Sequence, residues 1–208
     1  MGGVGYMKGN EQQRKSILEI INTARMNKEV INGLEMSGLD LPLSDFSEIM
    51  GDCINASGVN LKASSLTRAS FFDCDFESTD FSDCNLEMID IGDCVLNGAI
   101  LNKAILIGAK INISMCQGAC FDEVDFSGGE VIGSSFSNSS FKKANLTGIN
   151  AQQASFSNVD LTGATLTKGI FEEADFRNAI LDGVVWTGAR IDGALFDEGV
   201  IETVKSKL

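Results

Sequence analysis

Apolar residues recur at every fifth position over most of this 208-residue chain. From Leu61 to Phe196 all 28 positions of this series are apolar, and twelve of the thirteen phenylalanines belong to it when Phe46 is counted. The one phenylalanine outside the series is Phe72. A helix repeats its apolar face about every 3.6 residues and a strand about every 2, so this period fits neither. It indicates an internal structural repeat.

A second rule accompanies the first. The residue two positions before each member of the series is small or β-branched, and neither position carries Asp, Glu, Lys or Arg in any of the 28 pentads. Charged residues make up 22% of the chain, so their exclusion predicts that both positions are buried. Two inward residues in five suit a short extended segment followed by a turn, and four such segments would close a square.

This pattern resembles the pentapeptide-repeat family, whose motif is Ala, then Asp or Asn, then Leu, followed by two variable residues. Good matches are the segments Ala144–Leu146, Val159–Leu161 and Ala174–Phe176. The resemblance implies an all-β solenoid, namely a right-handed parallel quadrilateral β-helix with about twenty residues per coil and about eight coils. The right-handed winding is also the general preference of parallel crossover connections.

The pattern divides the chain into four segments. Residues 1–9 are predicted to be a flexible leader, residues 10–33 an N-terminal capping α-helix, residues 34–198 the β-helix, and residues 199–208 a short helix that forms a C-terminal cap or a dimer contact. The pattern weakens at the start of the β-helix segment, where Gly51 and Ala56 would leave the interior underfilled, so we expect a local distortion there.

The helix prediction rests on its two ends and its apolar face. Asn10 is a candidate N-cap with Gln13 three residues later, and Gly33 is a candidate stop. Ile17, Ile21, Ala24 and Ile31 line one face. Such a helix would cover the unpaired edge of the first coil, which could otherwise recruit another strand.

The composition argues against catalysis. The chain has no histidine, which excludes Ser-His-Asp and Cys-His mechanisms and His-containing zinc sites. Its glycines follow the five-residue period and form no phosphate-binding loop, and a filled interior leaves no substrate pocket. We therefore predict that the protein is not an enzyme and has no cofactor, no metal site and no small-molecule substrate.

Charge and cysteine content bear on partners and location. The net charge of −13 argues against direct nucleic-acid binding, and no apolar run is long enough to span a membrane. No secretory signal opens the chain, so we expect a cytoplasmic protein with reduced thiols. Cys74 and Cys94 should stack on adjacent coils, and whether they are ever bridged is left open. Cys120 should point outward and react most readily.

Two surface features of this solenoid are candidates for partner binding. The first is a ring of acidic residues with no basic residue between Arg68 and Lys103, which we call the acid ring: Asp73, Asp75, Glu77, Asp80, Asp83, Glu87, Asp90 and Asp93. The second is a group of apolar residues at outward positions, which we call the apolar belt: Val95, Ile100, Ile105, Ile107, Ile113 and Met115. Contiguous exposed apolar residues commonly mark an interface.

A third candidate surface lies at the C-terminal end. The chain carries apolar residues there at outward positions or at helical spacing: Ile180, Val185, Leu195, Val200, Val204 and Leu208. The family resemblance implies a dimer through this end, and simple capping is the alternative.

Two hypotheses of function remain. The first is a non-catalytic scaffold that binds an unidentified protein partner through the acid ring and the apolar belt. The second follows from the family resemblance, because some pentapeptide-repeat proteins resemble DNA in size and charge, bind DNA gyrase and protect it from quinolones. The net charge of −13 agrees with such a DNA mimic, whereas the arrangement of the acid as a ring argues against it.

Overall fold

The structure, a computed structural model, describes residues 3–208, with side chains from Glu11 onward. The chain forms helix α1 (Gly3–Asn27), then the strands β1 (Val30–Asn32), β2 (Met50–Asp52), β3 (Ser70–Phe72), β4 (Asp90–Gly92) and β5 (Lys110–Asn112), and ends in helix α2 (Val200–Lys205). The five strands form one parallel sheet in sequence order. Each strand pairs with the strand twenty residues later, so one coil contains twenty residues.

The sheet is the first of four sides of a square tube. The other three sides pair through single bridges with the same spacing, as in Glu35 with Asn55, Asp40 with Asn60 and Asp45 with Ser65, which begin the second, third and fourth sides. The predicted right-handed parallel quadrilateral β-helix with a helix at each end is confirmed. Regular strands delimit four coils, and single bridges with the same spacing continue the first side from Lys110 to Arg190 over four more.

Adjacent coils are joined by main-chain hydrogen bonds that recur on every side of the tube. The N–H of an inward series residue donates to a carbonyl of the next coil, as from Leu161 to Ile180 at 2.9 Å, and the N–H of Ile180 donates back to the Val159 carbonyl at 2.9 Å. Between sides the chain turns through a residue with positive φ, for example Gly98 at 65°, a conformation in which glycine carries no Cβ penalty.

The interior is filled by the two inward positions of every pentad. Series residues from adjacent coils lie on one another: the rings of Phe136 and Phe156 are nearly parallel with centroids 5.4 Å apart, and those of Phe156 and Phe176 are 5.2 Å apart. All three rings are buried. The predicted burial of the series is confirmed except at the C-terminal end, where Leu181 and Phe196 are half-buried. Stacked aromatic rings add stability beyond their buried area.

The distortion expected near Gly51 is absent. Gly51 stays in register with Phe71, and a Cβ on Gly51 would lie only 2.8 Å from the Phe71 ring atom Cδ1. The space that a larger residue would fill is thus taken by neighbouring side chains. A small apolar void of about 10 Å³ remains beside Phe71.

The N-terminal helix differs from its predicted bounds of 10–33. Residues 1–2 of the predicted leader lie outside the described residues, and α1 already contains Gly3. The helix ends at Asn27, because Lys28 adopts a φ of 56° and Val30–Asn32 becomes the first strand. Ile31 is therefore buried as a series residue of the first coil and not on a helical face.

Helix α1 nevertheless covers the first coil, as predicted. Ile17, Ile21 and Ala24 are buried against the tube. Near the end of the helix, Arg25 Nη1 donates to Asp45 Oδ2 at 2.6 Å, and Nη2 donates to the Asp45 main-chain carbonyl. That carbonyl faces the end of the tube and has no earlier coil to pair with, so Arg25 supplies the missing donor.

Candidate functional site

The apolar belt lies on the outside of the tube. Ile100, Ile105, Ile107, Ile113 and Met115 are exposed, and Val95 is half-buried. Outward positions arise because the residue just before each inward series residue points away from the core, and because the turn residues lie at the edges of the square. The sequence pattern alone therefore indicates which of these side chains face solvent.

The belt circles the tube and does not form one continuous patch. Val95 and Met115 are register partners on the second side, Ile100 lies on the third side, and Ile105 on the fourth. Ile107 and Ile113 lie at corners. The structure therefore brings Val95, Met115 and Ile113 together at one corner, and separates them from the pair Ile105 and Ile107.

The acid ring lies mainly one coil before the belt. Asp75 is the register partner of Val95, and Asp80 is the partner of Ile100. Both carboxylates also have a local role, since Asp75 Oδ1 accepts from the Glu77 N–H and Asp80 Oδ1 from the Ser82 N–H, each at 2.8 Å. The outward side chains of the ring members without such a role are exposed: Asp73, Glu77, Asp83, Glu87, Asp90 and Asp93.

Basic residues approach this acidic surface at only a few points. Lys62 Nζ lies 3.6 Å from Asp83 Oδ2, an exposed pair of little energetic weight. Lys110 of β5 is in register with Asp90 on one side and Glu130 on the other. The first and second sides around Asp73 and Asp93 therefore keep a strong negative potential, which would attract a cationic partner.

Two exposed apolar residues belong to this surface and were missed by the sequence prediction of the belt. Phe72 is 57% exposed, and Met88 is also exposed. The Phe72 ring lies beside Gly92, 3.5 Å from the position of a Cβ on that glycine, and the Met88 sulfur lies 2.8 Å from the corresponding position on Gly108. The signal for Phe72 was present in the sequence, because it is the one phenylalanine outside the five-residue series.

Backbone geometry separates Ile113 from the rest of the belt. Its φ is 53°, in the left-handed region, and it is the one β-branched residue with positive φ in the part of the chain that the structure describes. Such a conformation is costly for a β-branched residue. Gly133, at the same corner of the next coil, has a φ of 64° and bears none of this cost.

The six cysteines, all in the described part of the chain, are free thiols. Cys74 and Cys94 stack as predicted but are not bridged, and the Cys74 N–H donates to Cys94 Sγ at 3.3 Å. Cys53 is exposed, whereas Cys120 is half-buried. Desolvation, followed by the hydrogen bond from the thiol to Asp73, raises the pKa of Cys53 to about 11. Burial likewise raises the pKa of Cys120.

The C-terminal candidate residues divide into two groups. Ile180, Val185, Leu195 and Leu208 are exposed, and Val200 is half-buried. Val204 is buried by the chain itself and so is not free to contact a second copy. Helix α2 lies over one part of the last coil, leaving a groove of about 340 Å³ between it and the end of the tube that is lined in part by Trp186 and Lys207.

Metal sites and membrane-spanning helices are both absent from the described residues. Between Gly3 and Leu208, no group of three His, Cys, Asp or Glu side chains is placed to hold a metal ion. Neither described helix is long and apolar enough to cross a membrane.

The chain matches a known protein family. The model described as pentapeptide repeats matches in eight copies, over residues 53–87, 90–128, 132–172 and 170–197. Comparison with curated protein sequences gives no match.

Solved structures also resemble this chain. A trypsin-treated variant of QnrB1, a plasmid-mediated fluoroquinolone resistance protein, is 18% identical and aligns over 85% of this chain and 96% of its own, with a TM-score of 0.53. HetL, a pentapeptide repeat protein involved in heterocyst differentiation regulation in the cyanobacterium Nostoc sp. strain PCC 7120, is 16% identical over 81% of this chain and 91% of its own, with a TM-score of 0.33. At this identity, the QnrB1 likeness bears on the fold alone.

Proposed function

The chain belongs to the pentapeptide repeat family, and from that premise we propose that it is a non-catalytic scaffold that binds a protein partner through the acid ring and the apolar belt. The observation that carries this proposal is the belt itself. Five of its six side chains are exposed on a tube whose interior is otherwise filled. Exposed apolar residues stabilise the isolated protein little, whereas a partner would bury them.

The filled interior supports a non-catalytic role. Active sites are usually concave and bring several polar groups together. Here the polar side chains are distributed over a convex wall, and the buried hydroxyl groups bond to the backbone, as Thr79 Oγ1 does to the Ala56 carbonyl at 2.7 Å. The free thiols are consistent with a reducing compartment, and we place the protein in the cytoplasm.

Partner capture with a column-matched variant tests this function. The variant Ile105→Asn plus Ile107→Ser introduces residue types already present at the same positions of other coils, Asn85 and Ser127, so the tube should remain folded. The control Leu43→Ser removes an exposed leucine that is 81% exposed and lies outside the belt.

The full chain, both variants and an empty matrix are compared by affinity capture from lysate of the source organism. We expect a protein that the wild type and the control retain and that the belt variant loses at least about tenfold. Equal recovery with the belt variant would contradict the proposed role of the belt.

The second candidate function is inhibition of DNA gyrase by mimicry of DNA. The net charge of −13 favours it, and the fold shared with QnrB1 makes the geometry feasible. A DNA supercoiling assay with purified gyrase, with and without a quinolone, tests this candidate. Unchanged supercoiling and unchanged quinolone inhibition at micromolar protein would exclude it.

Dimerisation through the C-terminal end is a separate proposal. Each coil donates N–H groups to the next coil, and the last coil has no next coil to receive them. Ile180, Val185 and Leu195 are exposed beside that edge. Sedimentation of wild type against Val185→Thr, which copies Thr165 of the preceding coil, should show a dimer that the variant weakens. A monomer for both would contradict it.

A further inference from the structure

One corner of the tube concentrates the exposed apolar side chains. Between the first and second sides lie Phe72, Val95, Ile113 and Met115, which we call the corner patch. Val95 and Met115 are register partners. Phe72 is the partner of Gly92, which in turn pairs with Asn112, the residue before Ile113. The register thus places all four within about two coils, or roughly 10 Å along the axis.

Phe72 extends the patch along the axis. Its ring lies in ordinary van der Waals contact with the site of a Cβ on Gly92, at 3.5 Å. Gly92 has no side chain, so the Phe72 ring can lie beside this residue of the next coil. The result is a low apolar surface with one aromatic side chain, the residue type enriched at binding hot spots.

The conformation of Ile113 points to a role outside the isolated fold. The side chain is 71% exposed, so packing within the chain does not offset its left-handed φ of 53°. Strained residues that folding alone does not require cluster at binding sites. Glycine would satisfy this corner with less strain, as it does at position 133. An apolar side chain here is therefore explained by a contact that a partner makes.

The charge around the patch specifies the partner. Asp73 and Asp93 occupy the same corner column as Ile113, two coils and one coil before it, and Asp52 is the register partner of Phe72. Asp75 is the register partner of Val95. Asp73 and Asp93 thus lie in the coils that carry Phe72 and Val95, while Gly133 and Ser135 follow in the next coil. The surface is therefore apolar and bordered by carboxylates over its N-terminal part.

We propose that the corner patch binds a cationic amphipathic helix of a protein partner. Its apolar residues, spaced three and four apart, would lie on Phe72, Ile113 and Met115, and Lys or Arg residues along the edge of this apolar face would lie beside Asp73 and Asp93. The three coils from Asp52 to Ile113 span roughly 15 Å, which matches about ten residues of helix. This inference rests on the scaffold function proposed above and names the class of partner.

A fluorescein-labelled synthetic peptide tests the inference directly. The probe is a helix of about fourteen residues with leucines on one face and lysines on the other. One control peptide has the same composition in alternating order, and a second has glutamate in place of lysine. Binding to the full chain is measured by fluorescence anisotropy, and helix formation by circular dichroism. We expect the amphipathic lysine peptide to bind at least about tenfold more tightly than either control.

Variants of the protein locate the binding surface. Ile113→Gly removes the side chain while relieving strain, so lost binding would not reflect unfolding. Combined with Phe72→Ser, it should weaken binding of the amphipathic peptide at least about tenfold. The matched control Leu43→Gly also replaces an exposed apolar residue at a left-handed corner, with φ of 56°, and should leave binding unchanged. Asp73→Asn plus Asp93→Asn should reduce both the affinity and its salt dependence.

Three outcomes would overturn the inference. These are unchanged binding to the Ile113→Gly plus Phe72→Ser protein, equal binding of the alternating peptide, and equal binding of the glutamate peptide. Suppose that the Ile113→Gly plus Phe72→Ser protein also retains the captured partner while the Ile105→Asn plus Ile107→Ser protein loses it. In that case the proposed role of the corner patch is wrong and the scaffold function stands. If neither variant loses the partner, the scaffold function itself fails.

Discussion

The corner between the first and second sides is built in two ways in the two halves of the tube. In the N-terminal half, at residues 30–34, 50–54, 70–74, 90–94 and 110–114, three residues are extended and the inward residue after the corner makes no turn hydrogen bond; we call these open corners. In the C-terminal half, at residues 131–134, 151–154, 171–174 and 191–194, that N–H bonds to the carbonyl three residues before it; we call these closed corners.

At four of the five open corners, the inward residue of the following coil supplies a side-chain acceptor; the corner at residues 30–34 is open although Ile54 of the following coil has none. At the open corners, Ile54 donates to Cys74 Sγ and Cys74 to Cys94 Sγ, each at 3.3 Å. Cys94 donates to Ser114 Oγ at 3.1 Å and Ser114 to Ser134 Oγ at 3.0 Å. The corner at Ser134 is followed by Ala154, which has no acceptor, and there Ser134 donates to the Val131 carbonyl at 3.3 Å. A buried N–H must find an acceptor. In this column the acceptor is either a side chain of the next coil or the carbonyl three residues earlier in the chain.

A thiol in the next coil permits an open corner without forcing one. At the corner between the third and fourth sides, Cys84 follows Ser64, yet its Sγ donates to the Leu61 carbonyl at 2.9 Å. The Ser64 N–H closes an ordinary turn onto the same carbonyl at 3.0 Å.

Removing one side-chain acceptor should produce the largest effect. Ser114→Ala leaves the buried Cys94 N–H without its acceptor and ends the donation from Ser114 Oγ to the Asn112 carbonyl at 2.9 Å. We expect a loss of about 2 kcal/mol in the free energy of unfolding, measured by urea denaturation.

The control for this prediction is Ser139→Ala. Ser139 is also buried and inward, but at a turn whose own N–H bonds to the Phe136 carbonyl at 3.0 Å. Its hydroxyl donates to the backbone and accepts from no amide in the described structure, so its loss should cost about 1 kcal/mol or less. Equal losses for the two variants would contradict the difference between open and closed corners.

The fold was predictable because its rule is local in the sequence. The five-residue series identified Phe136 and Phe156 as stacked interior residues before any coordinates, and it identified Ile105 and Ile113 as outward ones. Position within the pentad decides inside from outside, and no distant contact has to be known. The same locality explains the error in α1, because Ile31 fits both a helical face and the five-residue series.

The corner patch could not be predicted in the same way. Its members come from three coils and meet only through the twenty-residue register, and the Phe72 ring lies beside Gly92 of the next coil. Neither the acceptor role of Ser114 nor the left-handed φ of Ile113 is visible in composition or periodicity. Both depend on hydrogen bonds and backbone angles that differ between coils of the same sequence pattern.

A substitution in the column of Ile113 tests whether its left-handed backbone is strained. Gly133→Ile places at a closed corner the residue that Ile113 provides at an open one. No atom lies within 4 Å of a Cβ on Gly133, so the cost comes from the left-handed backbone, about 1 to 2 kcal/mol. Thermal and urea unfolding measure it. Gly133→Asn is the control, because Asn138 holds a φ of 62° at another corner. This variant should cost only about a few tenths of a kcal/mol in the free energy of unfolding. A neutral Gly133→Ile would mean that Ile113 is unstrained.

The smallest expected change in stability accompanies an informative change in structure. Ala154→Ser would offer the Ser134 N–H a hydroxyl acceptor in the next coil, the arrangement that Ser134 itself provides for Ser114. One hydrogen bond replaces another, so the free energy of unfolding should change by less than about 0.5 kcal/mol. The amide and Cα chemical shifts of residues 131–134 should move towards those of residues 111–114. Ala119→Ser is the control, since its column already contains the closed pair of Val59 and Thr79, and the turn from Ala99 to Leu96 should persist. Unchanged chemical shifts at residues 131–134 would show that an acceptor in the next coil does not determine whether a corner is open or closed.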